Sequence, residues 1–184
     1  MPAINPWEPK HVIDWALIVA EHGPDVWRTA YRLLSNREDA GDCYQETFLN
    51  AVEYARCNSV AYWPAVLRRI ATARAMDLLR RRYRTEGQCE SLAGASCEPL
   101  DGSPSPDVQT QLRESMDQMR HALAELPHTH AEVFWLSEVE LLSHADIAQQ
   151  FNSTPKQIAV WLHRAKQKLK KLLAERGVTS EVLR

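Results

Sequence analysis

The chain has only four cysteines, Cys43, Cys57, Cys89 and Cys97, and no C-x-x-C pair among them. A zinc site calls for closer pairs, and a reducing compartment would leave all four as thiols. Cys89 and Cys97 have a redox-sensing reading beside the plainer one of reduced thiols. No apolar run approaches the roughly 20 residues of a membrane-spanning helix. The opening MPAINPWEPKH has neither the basic start nor the apolar stretch of a secretory signal. The expectation is a cytoplasmic protein without membrane insertion. Also missing are a Gly-rich phosphate loop, a nucleophile motif, an internal repeat and any strand pattern of strength. His128 and His130 sit two apart beside Pro127, poor geometry for a helical ligand pair. Neither a metal nor a cofactor is expected.

The remaining composition is that of a globular chain, 45% hydrophobic and 25% charged over 184 residues. Its net charge of −2 hides a strong segregation. Residues 68–84 carry Arg68, Arg69, Arg74, Arg80, Arg81, Arg82 and Arg84 against Asp77 alone. Residues 154–176 carry Lys156, Arg164, Lys166, Lys168, Lys170, Lys171 and Arg176 against Glu175 alone. Between them, 85–110 holds five carboxylates and no Lys or Arg. Two basic patches with an acidic connector imply two anion-binding surfaces.

Helical periodicity runs throughout the first 84 residues. Val12, Trp15, Ala16 and Val19 recur at 3–4 spacing, Gly23-Pro24 is expected to end that helix, and Asp25 to cap a second. Ser35 and Glu38 have capping-box spacing for a third. On that helix Ala40, Tyr44, Thr47, Phe48, Ala51 and Ala55 share one face, and Asp39, Asp42, Glu46 and Glu53 fall in an arc nearly opposite. A fourth helix is expected to start near Trp63-Pro64, burying Trp63, Leu67, Ile70 and Leu78 while displaying its arginines. Residues 85–110 lose periodicity and gain Gly, Ser, Pro and acid, the mark of a flexible linker. Each flanking half is small enough for its core to be marginal alone.

After the linker, Met116, Met119, Leu123 and Leu126 restore the helical pattern until Pro127. Ser143 can cap a short helix, HADIAQQF, and Asn152 suits a left-handed turn. Thr154-Pro155 opens a second helix with Ile158, Leu162, Ala165, Leu169 and Leu172 inward. Lys156, Ala159, Val160, His163, Gln167 and Lys170 lie outward, with Arg164 on the flank. Two short helices across a tight turn, the second basic, have the form of a helix-turn-helix.

Three segments resemble the sigma-70-type transcription factors, specifically the compact extracytoplasmic-function (ECF) group that has only regions 2 and 4. The first, RLLSNREDAGDCYQETFLNAVEY (32–54), is similar to the family's polymerase-binding helix. The second, YWPAVLRRIATARAMDLLRRR (62–82), resembles the helix that meets the −10 element. The third, 126–173, resembles region 4, from its L-P-x-x-x-x-x-V-F opening to its closing L-x-R-A-[RK]-x-x-L. Arg74 stands where the family typically has Asn, and QIAVWL (157–162) replaces T-V-K-S-R-L, so two usual basic positions are lost.

The resemblance implies an all-α fold of two small helical domains: a four-helix region 2 over 1–84, a linker over 85–110, and a helix-turn-helix region 4 over 111–184. It implies a non-enzymatic factor whose partners are core RNA polymerase and promoter DNA; members are often held by an anti-sigma protein. Asp39, Asp42, Gln45 and Glu46 would dock on the polymerase. Asn58, Tyr62, Trp63, Arg68, Arg69, Arg74, Arg80 and Arg81 would meet the −10 region, with Trp63 also readable as core. Lys156, Gln157, His163, Arg164 and Lys168 would meet the −35 region, and Trp161 would pack rather than read. Two rival readings stand: a helix-turn-helix regulator that is no polymerase subunit, and a helical metal-dependent hydrolase.

Overall fold

The structure is a computed structural model that describes residues 13–86 and 106–177, with side chains over 13–85 and 113–177. Among the described residues there are seven helices and no strand: α1 (Trp15–Leu34), α2 (Arg37–Cys57), α3 (Trp63–Glu86), α4 (Pro106–Ala124), α5 (His128–Glu138), α6 (His144–Gln150) and α7 (Pro155–Glu175). Helix α4 thus starts inside the segment expected to be linker. Thr85 and Glu86 belong to α3, and residues 87–105, Cys89 and Cys97 included, lie outside the described residues.

The first expected helix boundary is overturned. Helix α1 runs unbroken through Gly23 and Pro24, so three helices rather than four make up 13–86. An interior proline removes one backbone hydrogen bond, a cost of about 3 kcal/mol. Against it, α1 buries Ile18 before the proline and Val26, Ala30, Leu33 and Leu34 after it, a single apolar stripe that only a continuous helix keeps in register. Gly23 is a close-packing residue rather than a stop: a Cβ there would lie 2.7 Å from the Tyr44 hydroxyl. The N-cap is Asp14, whose carboxylate accepts from the Leu17 amide at 3.0 Å. Asp25 instead pairs with Arg28 and Arg68.

The N-cap also moves by one residue, from Ser35 to Asn36. Because α1 extends to Leu34, Ser35 must turn the chain, and it does so at φ 48° with its amide on the Tyr31 carbonyl. Asn36 is therefore the N-cap of α2, accepting from the amides of Glu38 at 2.8 Å and Asp39 at 3.2 Å. Downstream, the expected caps are the observed ones. Ser143 accepts from the Asp146 amide at 3.1 Å, Thr154 from the Gln157 amide at 3.2 Å, and Asn152 turns the chain at φ 46°.

Helix α3 lies at the centre of the molecule, against α1 and α2 on one side and α4, α5 and α6 on the other. Ala71, Ala75, Met76 and Leu79 are fully buried along it, whereas Trp63, Ile70 and Leu78 are only half-buried. The main core is continuous across the two halves. It joins Leu33, Leu34, Met76 and Leu79 to Leu123, Val133, Leu136, Ile147 and Ile158. A smaller cluster of Ile18, Val26, Ala51, Leu67 and Ala71 closes the far end of the α1–α3 bundle. Two halves that were each expected to have a marginal core share one.

Candidate functional surfaces

Helix α2 buries Ala40, Cys43, Thr47 and Ala51 and turns its carboxylates away from them. Asp42 and Gln45 are exposed, as is Leu49 one turn on, at 67%. Asp39 and Glu46 are half-buried because α3 reaches them: Arg82 binds Asp39, and Arg74 binds Glu46 with its Nε at 2.6 Å. The four residues assigned to polymerase therefore divide into two free groups and two already in ion pairs. Burial pushes the neighbouring Cys43 thiol up to about 11, against opposing pulls from Thr47 and Arg74, so it stays protonated.

The arginines of α3 are not a solvated display, which corrects the expectation for this helix. Arg69 donates to the Gln150 carbonyl at the end of α6, and its guanidinium lies 4.5 Å from the Phe151 ring centroid. Arg80 donates to the Leu126 carbonyl just beyond α4 at 3.2 Å. Arg82 donates to the Leu34 carbonyl at the end of α1 at 3.0 Å. Arg68 has its Nη2 3.4 Å from Asp25 and its Nε 3.7 Å from Glu140. The last carbonyls of a helix have no partner within it and carry the negative end of its dipole, so a guanidinium there satisfies both. Burial lowers the proton affinity of Arg80, with Asp77 and Glu132 opposing it. Of the seven arginines, Arg81 and Arg84 are exposed.

Near the start of α3, Tyr62 is 62% exposed and Asn58 is exposed at the end of α2, its amide donating to the Tyr54 carbonyl at 3.0 Å. Trp63 is half-buried and packs edge-to-face on Trp15 with centroids 5.2 Å apart.

The helix-turn-helix is α6, the Phe151–Thr154 turn and α7. Its inner face is Ile158, Leu162, Ala165, Leu169 and Leu173; Leu172, expected there, is only half-buried. Trp161 is half-buried and edge-on to Phe151 at 6.4 Å. Lys156, Gln157, His163, Arg164 and Lys168 are all exposed. Val160 stands among them at 37% exposure. His163 contacts Gln167 at 3.1 Å, and Lys168 donates to the Glu125 carbonyl at 3.0 Å. Burial, with Arg164 and Lys168 nearby, lowers the pKa of His130 and disfavours its charged form.

Sequence reasoning missed the residues that join the halves. Glu140 Oε1 accepts from the Thr29 hydroxyl at 2.8 Å and from the Trp135 indole at 3.3 Å. Arg120 donates to the Leu33 carbonyl at 3.0 Å and to the Ser35 hydroxyl. His128 meets Asp77 at 3.0 Å and Glu132 on its other ring nitrogen. Glu132 is 5% exposed, and burial raises its carboxyl above the ordinary range although His128, Arg69 and Arg80 pull it down. No local pattern signals contacts between residues as far apart as Thr29 and Glu140.

An all-α chain with a carboxylate-bearing helix, a central arginine helix and an exposed basic helix-turn-helix is built as a binding factor. The family comparisons give that class a name. Residues 18–85 match sigma-70 region 2 and residues 116–169 match sigma-70 region 4, together about two thirds of the chain. The chain belongs to the sigma-70 family. It is 29% identical over 162 residues to the ECF RNA polymerase sigma factor SigE of Mycolicibacterium smegmatis, covering 88% of this chain but 62% of that protein's length. It is 28% identical over 161 residues to the ECF sigma factor SigL of Mycobacterium tuberculosis H37Rv, covering 86% of this chain and 88% of the relative. The sigma factor RpoE of Bartonella quintana, solved with the anti-sigma factor NepR, shares the fold at a TM-score of 0.53 and 21% identity, over 88% of this chain and 97% of that one.

Proposed function

We infer that this chain is an ECF-type RNA polymerase sigma factor, which binds core polymerase and directs it to promoters. It performs no chemistry of its own. Recruitment and strand opening are its mechanism, and the polymerase supplies catalysis. The observation that carries this reading is the ordered pair of sigma-70 regions 2 and 4 on one all-α chain.

Asp42 and Gln45 make the first contacts with cationic groups of the polymerase, because they are exposed and unpaired with α3. Asp39 and Glu46 contribute by exchanging Arg82 and Arg74 for the partner's cations. The α3 arginines hold phosphates of the −10 region, and Tyr62 and Asn58 meet its unstacked bases. Lys156, Gln157, His163, Arg164 and Lys168 enter the −35 duplex, Gln157 and Arg164 through base edges and Lys156 through phosphate. The chain works in the cytoplasm, where core polymerase and DNA are. No described helix is long and apolar enough to cross a membrane.

Reconstitution with core polymerase tests this directly. Promoter-specific run-off transcription that needs the chain supports it. DNA binding without core binding favours the regulator reading, which accounts for α6 and α7 and leaves α2 without a task. Charge reversal at Asp42 should weaken core binding in a pull-down while leaving the circular dichroism of the free chain unchanged.

A further inference from the structure

We propose that the cavity between the C-terminal ends of α3 and α4 is a binding site for a small phosphate-type oxyanion, free phosphate or pyrophosphate rather than a phosphate of DNA. The site is independent of the sigma-factor reading. Its volume is about 220 Å³, and its walls are Arg80, Tyr83 and Arg84 of α3, His121 and Ala124 of α4, and Glu125. The rings of Tyr83 and His121 stack with centroids 4.5 Å apart and planes 20° apart, which makes one side firm. Two more cations reach the same corner. Lys168 of α7 donates to the Glu125 carbonyl at 3.0 Å, and Arg176 binds the Glu125 carboxylate.

Cations here outnumber the anions that face them. Glu125 is the one carboxylate in the lining, and it is already shared by Arg176 and, at 3.7 Å, His121. The carbonyls beyond the end of α4 would repel an anion, but they are covered: Leu126 accepts from Arg80 Nη2 at 3.2 Å and Glu125 from Lys168. Donors remain unspent nonetheless. Nη1 of Arg80 and Nη1 of Arg176 are both buried without a hydrogen-bond partner, although Asp77 stands 3.9 Å from the first. Arg84 is exposed and makes no ion pair among the described residues. Burial lowers the proton affinity of Arg80, and the Arg84 charge adds to that against Asp77 and Glu132. A buried guanidinium donor left unpaired costs free energy that an oxyanion recovers, and charge-assisted bonds from a planar fork suit phosphate oxygens. Size selects among phosphates, since the cavity admits a phosphate or pyrophosphate and not a duplex.

The test titrates the full chain with pyrophosphate and with phosphate at constant ionic strength, chloride serving as the control. Calorimetry reads binding, and the ring-proton resonances of His121 read its place. Three variants accompany the wild type: Arg84→Gln, which removes a donor; Ala124→Glu, which fills the cavity with a carboxylate; and Lys170→Gln, which removes an exposed charge outside the lining. Circular dichroism checks that each keeps its helices, and the exposed Arg84→Gln decides the matter if Ala124→Glu does not fold. Saturable binding of pyrophosphate at one site that moves His121 is expected. Arg84→Gln should weaken it roughly tenfold or more, Ala124→Glu should abolish it, and Lys170→Gln should leave it unchanged. Binding that never saturates, that leaves His121 unmoved, or that Arg84→Gln and Lys170→Gln weaken equally would overturn the proposal. A mixed-sequence DNA duplex measured in parallel separates the two sources of phosphate. Its affinity should be the same for Ala124→Glu as for the wild type; a matching loss would make the phosphodiester the occupant and overturn the small-molecule assignment.

Discussion

Helices α3 and α7 carry the same excess of positive charge and use it in opposite ways. Among the cations of α3, Arg68, Arg69, Arg74, Arg80 and Arg82 are half-buried on carbonyls, carboxylates or a ring. The cations of α7 are mostly lysine, and Lys156, Lys166, Lys168, Lys170 and Lys171 are all exposed. Chemistry explains the division. A guanidinium is planar, more weakly hydrated and offers five donors in a fixed fork, so it can leave water and satisfy several acceptors. An ammonium is compact and strongly hydrated and stays in solvent. Arg176 follows the rule from the other side: it lies just past the end of α7, and it is half-buried and paired with Glu125. Equal charge in sequence therefore does not mean equal availability to a nucleic acid.

The comparison can be broken in four places. Met76→Ala, in the core shared by both halves, should cost about 2–5 kcal/mol and lower one common unfolding transition in calorimetry; two separate transitions would mean that the halves do not share a core. Arg69→Ala should cost about 1–3 kcal/mol by leaving the Gln150 carbonyl unpaired, while Lys170→Ala in α7 should stay within about 0.5 kcal/mol. Both can be read from urea midpoints, and equal losses would erase the contrast. Arg164→Ala should cost roughly 1–3 kcal/mol at a matched promoter; an equal loss on unrelated DNA would reduce Arg164 to a phosphate contact.

The smallest effect concerns pH. Burial raises the carboxyl of Glu132, so the folded chain binds its proton more tightly than the unfolded chain does. Its contribution is present below the ordinary glutamate value and is lost as pH rises through the raised one. Glu132→Gln should flatten that slope, gaining on the wild type as pH increases in denaturation series. A parallel pH dependence in the two chains would show that burial does not dominate at this site.

Much of the local structure was legible because its causes are local. Ser143, Thr154, Pro155 and Asn152 announce the helix-turn-helix through capping and turn chemistry that acts within four residues. The carboxylate arc of α2 follows from helical spacing alone. Gly23-Pro24 misled because tertiary burial along α1 outweighs a local break signal. Ser35 misled because Asn36 caps as well and the extension of α1 decides between them. The fate of the arginines was beyond reach, since their acceptors lie 81 residues away for Arg69 and 46 for Arg80. Periodicity reports which residues face away from a helix's own core. It does not report what another part of the chain will lay over them.

The two halves share one core through α3 in the free chain. Cys57 on α2 is exposed and Cys43 is buried, so labels on Cys57 and on a cysteine at Lys171 of α7, with Cys89 and Cys97 replaced by serine, report the separation of the halves by electron-spin distance measurement. A single narrow distance distribution in the free chain is the predicted result. A broad distribution, or one with several separated distances, would contradict it.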